Sequence, residues 1–198
     1  MSTVKKEDQG FEHEAKSMLS EEDFKKLKDF FKIEPGSIEQ HVSKILVDEN
    51  HKMIQSMPVG TMFRVCVDRI MELKVHGTDG SLMHIRQKLQ RKELDALLDD
   101  GVLPAGNIQH FFSLKRIEEP FTFLGTIDRL RSYTLDKGIA LDQATYTGGH
   151  MDYEIKIAGE EYVKNHHLLE RLLEQHDIPF VPSRLKIQRF YKAIGIVV

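Results

Sequence analysis

The 198-residue chain has a single cysteine, Cys66. One thiol excludes an intramolecular disulfide framework and a zinc site built on several cysteines, and it fits a reducing compartment. No run of 18 apolar residues exists, so no transmembrane helix is expected. The N-terminal stretch "MSTVKKEDQ" has no signal-peptide pattern, and a cytoplasmic location is the expectation. A basic excess is missing too: 28 Lys and Arg stand against 31 Asp and Glu, a formal net charge of −3. That balance argues against a general nucleic-acid coater, so any anion site must be local. Neither a Gly-rich phosphate loop nor an HExxH motif occurs. There is also no repeat, low-complexity stretch or long Pro/Gly/Ser linker. The length suits one domain over 1–198 with a real core, with residues 1–9 as a tail, 91–117 as a helical insertion and 160–198 as C-terminal helices.

What the chain does have is alternation. In "GFEHEAKSM" (10–18), Glu12, Glu14 and Lys16 stand at every second position, which places them on one face of a strand. Further strands are predicted near 38–47, 60–68, 70–76, 81–88, 121–135, 138–146 and 151–158, with "TDG" (78–80) as a hairpin turn. Helices are predicted over 20–31, 91–100, 107–114, 160–176 and 184–194. In the first, Ser20 can cap the N-terminus, Asp23 stands where a capping-box acid would, and Phe24, Leu27, Phe30 and Phe31 form the apolar stripe. Gly101 closes the second. Strands in groups with helices between them favour an α+β fold with antiparallel pairing.

Nearly every strand repeats the pattern of the first. Arg64, Cys66 and Asp68 alternate with Phe63, Val65 and Val67; Glu72, Lys74 and His76 alternate with Met71, Leu73 and Val75. His84, Arg86 and Lys88 share a face, as do Arg129 and Arg131, and Asp152, Glu154 and Lys156 oppose Tyr153, Ile155 and Ile157. A solvated sheet back would show such a face. A sheet curled into a barrel with that face inward would instead hold a lumen of acids and bases, its apolar outer face packed under helices.

The Glu12-x-Glu14-x-Lys16 strand, the amphipathic helix after it, "MELKV", "FLGTIDRLRS", "IALDQATY", "MDYEIKI" and the closing "KIQRFYKA" together resemble the CYTH superfamily, the triphosphate tunnel metalloenzymes that include class IV adenylate cyclases and thiamine triphosphatase. The similarity runs in outline from residue 10 to 193, and to the small bacterial branch. It implies an antiparallel eight-stranded tunnel barrel, closed or nearly closed, with helices outside. It also implies a triphosphate-containing small molecule as partner, Mg²⁺ or Mn²⁺ as cofactor, and hydrolysis of a phosphoanhydride bond as the reaction, with cyclase activity less favoured because nothing reads a nucleobase. On this resemblance Glu12, Glu14 and Glu154 would hold the metal, as hard oxygen donors. Lys16, Arg64, Lys74, Arg86, Arg131, Lys186 and Arg189 would hold phosphate oxygens through charge-assisted bonds. Glu72, Asp142 and Asp152 would steady those groups from behind. No nucleic acid or membrane partner is expected, and the protein would be a monomer or homodimer.

Three positions depart from the family's pattern: Cys66 stands where a second arginine is usual, Lys156 where the second glutamate of a Glu-x-Glu pair is usual, and His84 where an acid is common. The first weakens phosphate binding; the second removes a carboxylate and adds a repelling charge. Residues 41–60 also lack the family's aromatic strand, keeping Asp48 alone. The alternative reading is a barrel without turnover that binds polyphosphate, a nucleotide or a protein partner in a regulatory role. Outside the pattern, His166 and His167 read as surface and interface histidines, Met53, Met57 and Met62 as core filler, and Cys66 as a packed thiol.

Overall fold

Segments of period two form strands and segments of helical period form helices, in the order read from the sequence. The computed structural model describes residues 10–11, 14–77, 81–134, 138–158 and 161–197, so Glu12 and the 78–80 turn lie outside the described residues. The elements are β1 (Gly10–Phe11), β2 (Glu14–Leu19), α1 (Glu21–Phe30), β3 (Ile38–Asp48), α2 (Lys52–Ser56), β4 (Met62–Cys66), β5 (Ile70–His76), β6 (Ser81–Lys88), α3 (Arg91–Asp99), α4 (Asn107–Leu114), β7 (Phe121–Tyr133), β8 (Ile139–Tyr146), β9 (Met151–Ala158), α5 (Tyr162–Glu174) and α6 (Lys186–Ala193). Among the described residues the strands form one sheet in the order β1-β6-β5-β4-β3-β7-β8-β9-β2, eight strands and the two-residue β1. The pairings β1–β6, β2–β9, β3–β4, β4–β5, β5–β6 and β8–β9 are antiparallel. The fold is therefore α+β with an antiparallel sheet, as expected. The order is open, and its end strands β1 and β2 follow each other in the chain.

The chain forms two compact units. Of the described residues, one contains 10–11, 42–77, 81–127 and 185–197, and the other 14–41, 128–134, 138–158 and 161–184. In the first unit Phe63, Val65, Met71, Leu73 and Ile85 put one face of β4, β5 and β6 into a core closed by Leu97 of α3 and Ile108 and Phe112 of α4. Phe63 is fully buried, its ring 5.2 Å from Phe112 and 5.3 Å from Phe121. Met53 and Met57 fill the same core. In the second unit Ala15, Leu141, Ile155 and Ile157 pack under Phe24 and Leu27 of α1 and Leu169 and Leu173 of α5. Both cores lie on the apolar parity of the strands. No helix of the described residues is long and apolar enough to cross a membrane.

Capping follows local chemistry. Ser20 Oγ accepts the Asp23 amide at 3.0 Å, fixing the start of α1. Gly101 ends α3 at φ +71°, where an added Cβ would lie 2.5 Å from the Phe121 carbonyl oxygen, so a side chain is excluded twice over. One element was not predicted and two local expectations are corrected. Residues 52–56 form α2, because the two carboxylate oxygens of Asp48 accept the amides of Lys52 and Met53, each at 2.7 Å. Asp48 is thus a helix cap. β4 ends at Cys66, and Val67 is 67% exposed in a turn containing Arg69 at φ 58°, so the apolar alternation stops one residue early. Phe30 is 55% exposed, leaving Phe24 and Leu27 as the buried stripe of α1.

Phe63→Ala is expected to lower unfolding free energy by about 3–5 kcal/mol in urea titrations, as for a buried aromatic that leaves a cavity. Val67→Ala should stay within about 0.5 kcal/mol of wild type. Equal losses at both positions would show that the apolar face continues through the turn.

Candidate functional site

On the charged parity of the strands Glu72, Asp142, Glu154 and Lys156 are buried, while Arg86 is 55% exposed at its side chain, so the face is buried at its centre and not throughout. In the first unit the register makes Arg64, Glu72 and Arg86 consecutive Cα partners across β4, β5 and β6. The central carboxylate, 4% exposed at its side chain, gathers the cations. Arg64 donates from Nε and Nη2 to Glu72 Oε2 at 2.8 and 2.6 Å, and from Nη1 to Ser43 Oγ at 3.1 Å. Arg86 Nε lies 2.9 Å from Glu72 Oε1, and His84 Nε2 3.7 Å from Oε2. Burial alone would raise the Glu72 carboxyl; the neighbouring His84 and the Arg64 guanidinium outweigh it and hold the group well below the usual carboxylate range. Cys66 is half-buried and its thiol is pushed up by that burial, which makes it a poor nucleophile.

The second unit builds a parallel cluster. On β2 and β9, Lys16 and Lys156 are Cα partners, and Glu14 spans both: Lys16 Nζ is 2.9 Å from Oε2, and Lys156 Nζ donates to Oε1 at 2.7 Å. On β8 and β9, Asp142 and Glu154 are partners, both buried. Arg131 of β7 grips Asp142 in fork geometry, Nε to Oδ1 and Nη2 to Oδ2, each at 2.7 Å, and Arg129 Nη1 stands 3.8 Å from Oδ2. Ser183 donates to Glu154 Oε2 at 2.5 Å. Small residues make room: Ala140 is the Cα partner of Lys156, and Ala144 of Asp152.

Electrostatics in this cluster are set by who faces whom. Burial would raise Glu14, but the charges of Lys16 and Lys156 bring its pKa down to about 2. Lys156 is lowered, first by burial and also by Arg131, against the pull of Glu14. The two directions agree physically, since Glu14 meets two cations whereas Lys156 meets a cation as well as an anion. Arg131 is held above its ordinary range by Asp142 in spite of burial. His41 is lowered, by burial and then by Arg129.

The remaining expected residues are placed as follows. Lys74 is half-buried on β5 with Met62 and His84 as Cα partners. Lys186 and Arg189 are half-buried on α6, and Asp152 accepts a bond from the Tyr146 hydroxyl at 2.7 Å. Glu12 is outside the described residues. Sequence reading missed Ser43, Ser183 and His41. Ser183 follows α5 in an irregular segment tied to β2 by the Ser17–Pro182 bridge, a pairing that no local periodicity announces. Among the described residues, no group of three or more His, Cys, Asp or Glu side chains is arranged to hold a metal ion.

The CYTH domain model matches residues 67–191. No curated protein matches the chain. Solved structures share its fold. A candidate adenylate cyclase from Bacillus halodurans superposes with a TM-score of 0.76 at 23% identity, over 92% of this chain and 98% of that one. The Hippeastrum protein HpAC1, a candidate adenylyl cyclase described as having a dominant triphosphatase activity, gives 0.67 at 15% identity over 93% and 96%. The PH1819 protein from Pyrococcus horikoshii gives 0.53 at 15% over 90% and 97%.

A carboxylate whose folded pKa is depressed stabilises the fold above its unfolded value and loses that contribution as pH falls through the folded one. For Glu14 the window runs from 4.5 down to about 2. The expected loss over that window is on the order of 2 kcal/mol. Glu14→Gln should therefore unfold with a flatter pH dependence than wild type between pH about 4.5 and 2, read from urea midpoints of both proteins. Identical slopes would show that Glu14 gains nothing from its lysines.

Proposed function

The chain belongs to the CYTH domain family, and on that premise we propose that it binds a triphosphate-bearing small molecule, with hydrolysis of a phosphoanhydride bond as its reaction. The observation that carries this reading is the burial of fixed charge on the strand faces of each unit. A face that buries Lys156 and Asp142 and partly buries Arg131 and Glu14 retains its field, because low dielectric strengthens each interaction. A polyphosphate chain is the small-molecule anion that such closely spaced cations suit. The likeness in fold to HpAC1 supports triphosphate cleavage over cyclisation.

In that role guanidinium groups bind phosphate oxygens in pairs, and the lysines act as point charges. Water attacks the terminal phosphorus, the bridging P–O bond breaks, the diphosphate portion leaves with the electron pair, and the proton lost by the water passes to a phosphate oxygen or to solvent. Cations already in place when that charge develops lower the barrier without rearranging. Carboxylates such as Glu72 and Asp142 would keep the arginines oriented.

Mg²⁺ or Mn²⁺, which the family resemblance implies, would neutralise phosphate charge and orient the attacking water. The described residues do not fit it at Glu14, whose two oxygens already carry ammonium groups. That same observation, with Cys66 in place of an arginine, favours a second reading: triphosphate binding without turnover.

Tripolyphosphate at millimolar concentration should raise the thermal midpoint, the stabilisation amounting to about 2.7 kcal/mol when ligand reaches a hundredfold its Kd. Phosphate release from inorganic, nucleoside and thiamine triphosphates, with Mg²⁺ or Mn²⁺ and with chelator, separates turnover from binding. Absence of any thermal shift across that panel would overturn both readings.

A further inference from the structure

Of the described carboxylates of the expected metal set, Glu14 and Glu154, it is Glu14 whose two oxygens each meet an ammonium group. The strands impose this. Lys16 and Lys156 are opposed across β2 and β9, and like charges directly opposite repel unless an anion lies between them. Glu14, two residues before Lys16 on the same face, supplies that anion, one oxygen to each ammonium at 2.9 and 2.7 Å. A divalent ion of the Mg²⁺ type requires oxygen donors in near-octahedral array at about 2.0–2.1 Å. An ammonium hydrogen-bonded to Oε1 occupies the approach such an ion would use, and its charge repels the ion.

The neighbouring carboxylates do not offset this. Glu154 accepts from Ser183, and Asp142 is held by Arg131 at both oxygens. Among the described residues, four cations, Lys16, Arg129, Arg131 and Lys156, stand beside four carboxylates, Glu14, Asp142, Asp152 and Glu154.

We infer that the Lys156 ammonium takes, at Glu14, the place of the divalent cation, so that this chain binds a triphosphate anion without Mg²⁺ or Mn²⁺. The inference rests on the triphosphate reading above and goes further by assigning the counter-cation. Lys156, with 9% of its side chain exposed, is a built-in charge that cannot be chelated away. Glu14 in this arrangement positions two lysines and ligates nothing.

The test is calorimetric titration of tripolyphosphate into wild type, Lys156→Glu, Lys156→Gln and Glu14→Gln, in EDTA and in excess Mg²⁺. It is paired with Mn²⁺ spin-resonance titration of each protein alone and circular-dichroism melts to confirm folding. Wild type should bind no more weakly in EDTA than in Mg²⁺ and should leave the free Mn²⁺ signal unchanged. Lys156→Glu should bind Mn²⁺ and need a metal for tripolyphosphate; if it does not fold, Lys156→Gln decides, with metal-free affinity reduced about tenfold, the equivalent of about 1.4 kcal/mol. Glu14→Gln gives opposite signs: equal or tighter binding in EDTA here, loss of binding if Glu14 is a metal ligand. A tenfold or greater loss of wild-type affinity in EDTA, or loss in Glu14→Gln, overturns the inference while leaving triphosphate binding intact. No wild-type binding with or without metal overturns the triphosphate reading itself, and this inference with it.

Discussion

A charge removed from water must meet an opposite charge or a set of hydrogen bonds, since the solvation it loses is worth several kcal/mol. That constraint orders the strand faces of this protein. Glu72 is buried because Arg64, Arg86 and His84 converge on it; Asp142 is buried because Arg131 supplies both donors of a fork; Glu14 is held between two lysines. Arg64 and Arg86 reach Glu72 from Cα partners on the flanking strands, Arg131 reaches Asp142 from β7, and Glu14 meets Lys156 of β9 as well as Lys16 of its own strand. Pairing and charge are thus one problem: slipping a strand by one residue would turn its ions onto the apolar side.

Period two made the face assignment legible in the sequence, and it was right where it mattered. Glu72, Asp142, Glu154 and Lys156 share the parity of the charged face while Met71, Leu73, Leu141, Ile155 and Ile157 share that of the cores. Helices were legible from capping and spacing, Ser20 being an instance. What alternation could not convey is partner choice. Whether Glu154 meets a metal, a lysine or the Ser183 hydroxyl depends on an irregular segment fixed by long-range pairing. Nor could it show α2, whose start depends on the side chain of Asp48 rather than on any amphipathic pattern. Apolar alternation likewise overran the end of β4, since Val67 keeps the rhythm in a turn.

Two of the three departures from the family pattern, Cys66 and Lys156, act differently. Cys66 subtracts: a burial-raised thiol beside Arg64 offers neither charge nor nucleophile, so the first unit has one arginine fewer on β4. Lys156 both subtracts and adds. It removes a carboxylate from β9 and returns a cation to the same strand face, and the pair with Glu14 ties β9 to β2 by side chains as well as by backbone. Family membership therefore specifies the sheet on which the chemistry sits and leaves the sign of the charge at one position to this chain.

The strand order carries a consequence for how the protein is made. β2 is among the first strands to leave the ribosome, and its partner β9 is among the last, with Glu14 and Lys156 separated by 142 positions. Loop closure over so long an interval is entropically costly, and folds rich in such contacts form slowly. Until residues 151–158 emerge, Ala15 and Leu19 lack the strand that pairs with β2, and Glu14 lacks the Lys156 ammonium. β2 waits for the 142 positions that separate Glu14 from Lys156. Assembly of the charged cluster in the second unit is then a late event in biogenesis, completed when the last strand is delivered rather than grown outward from the first.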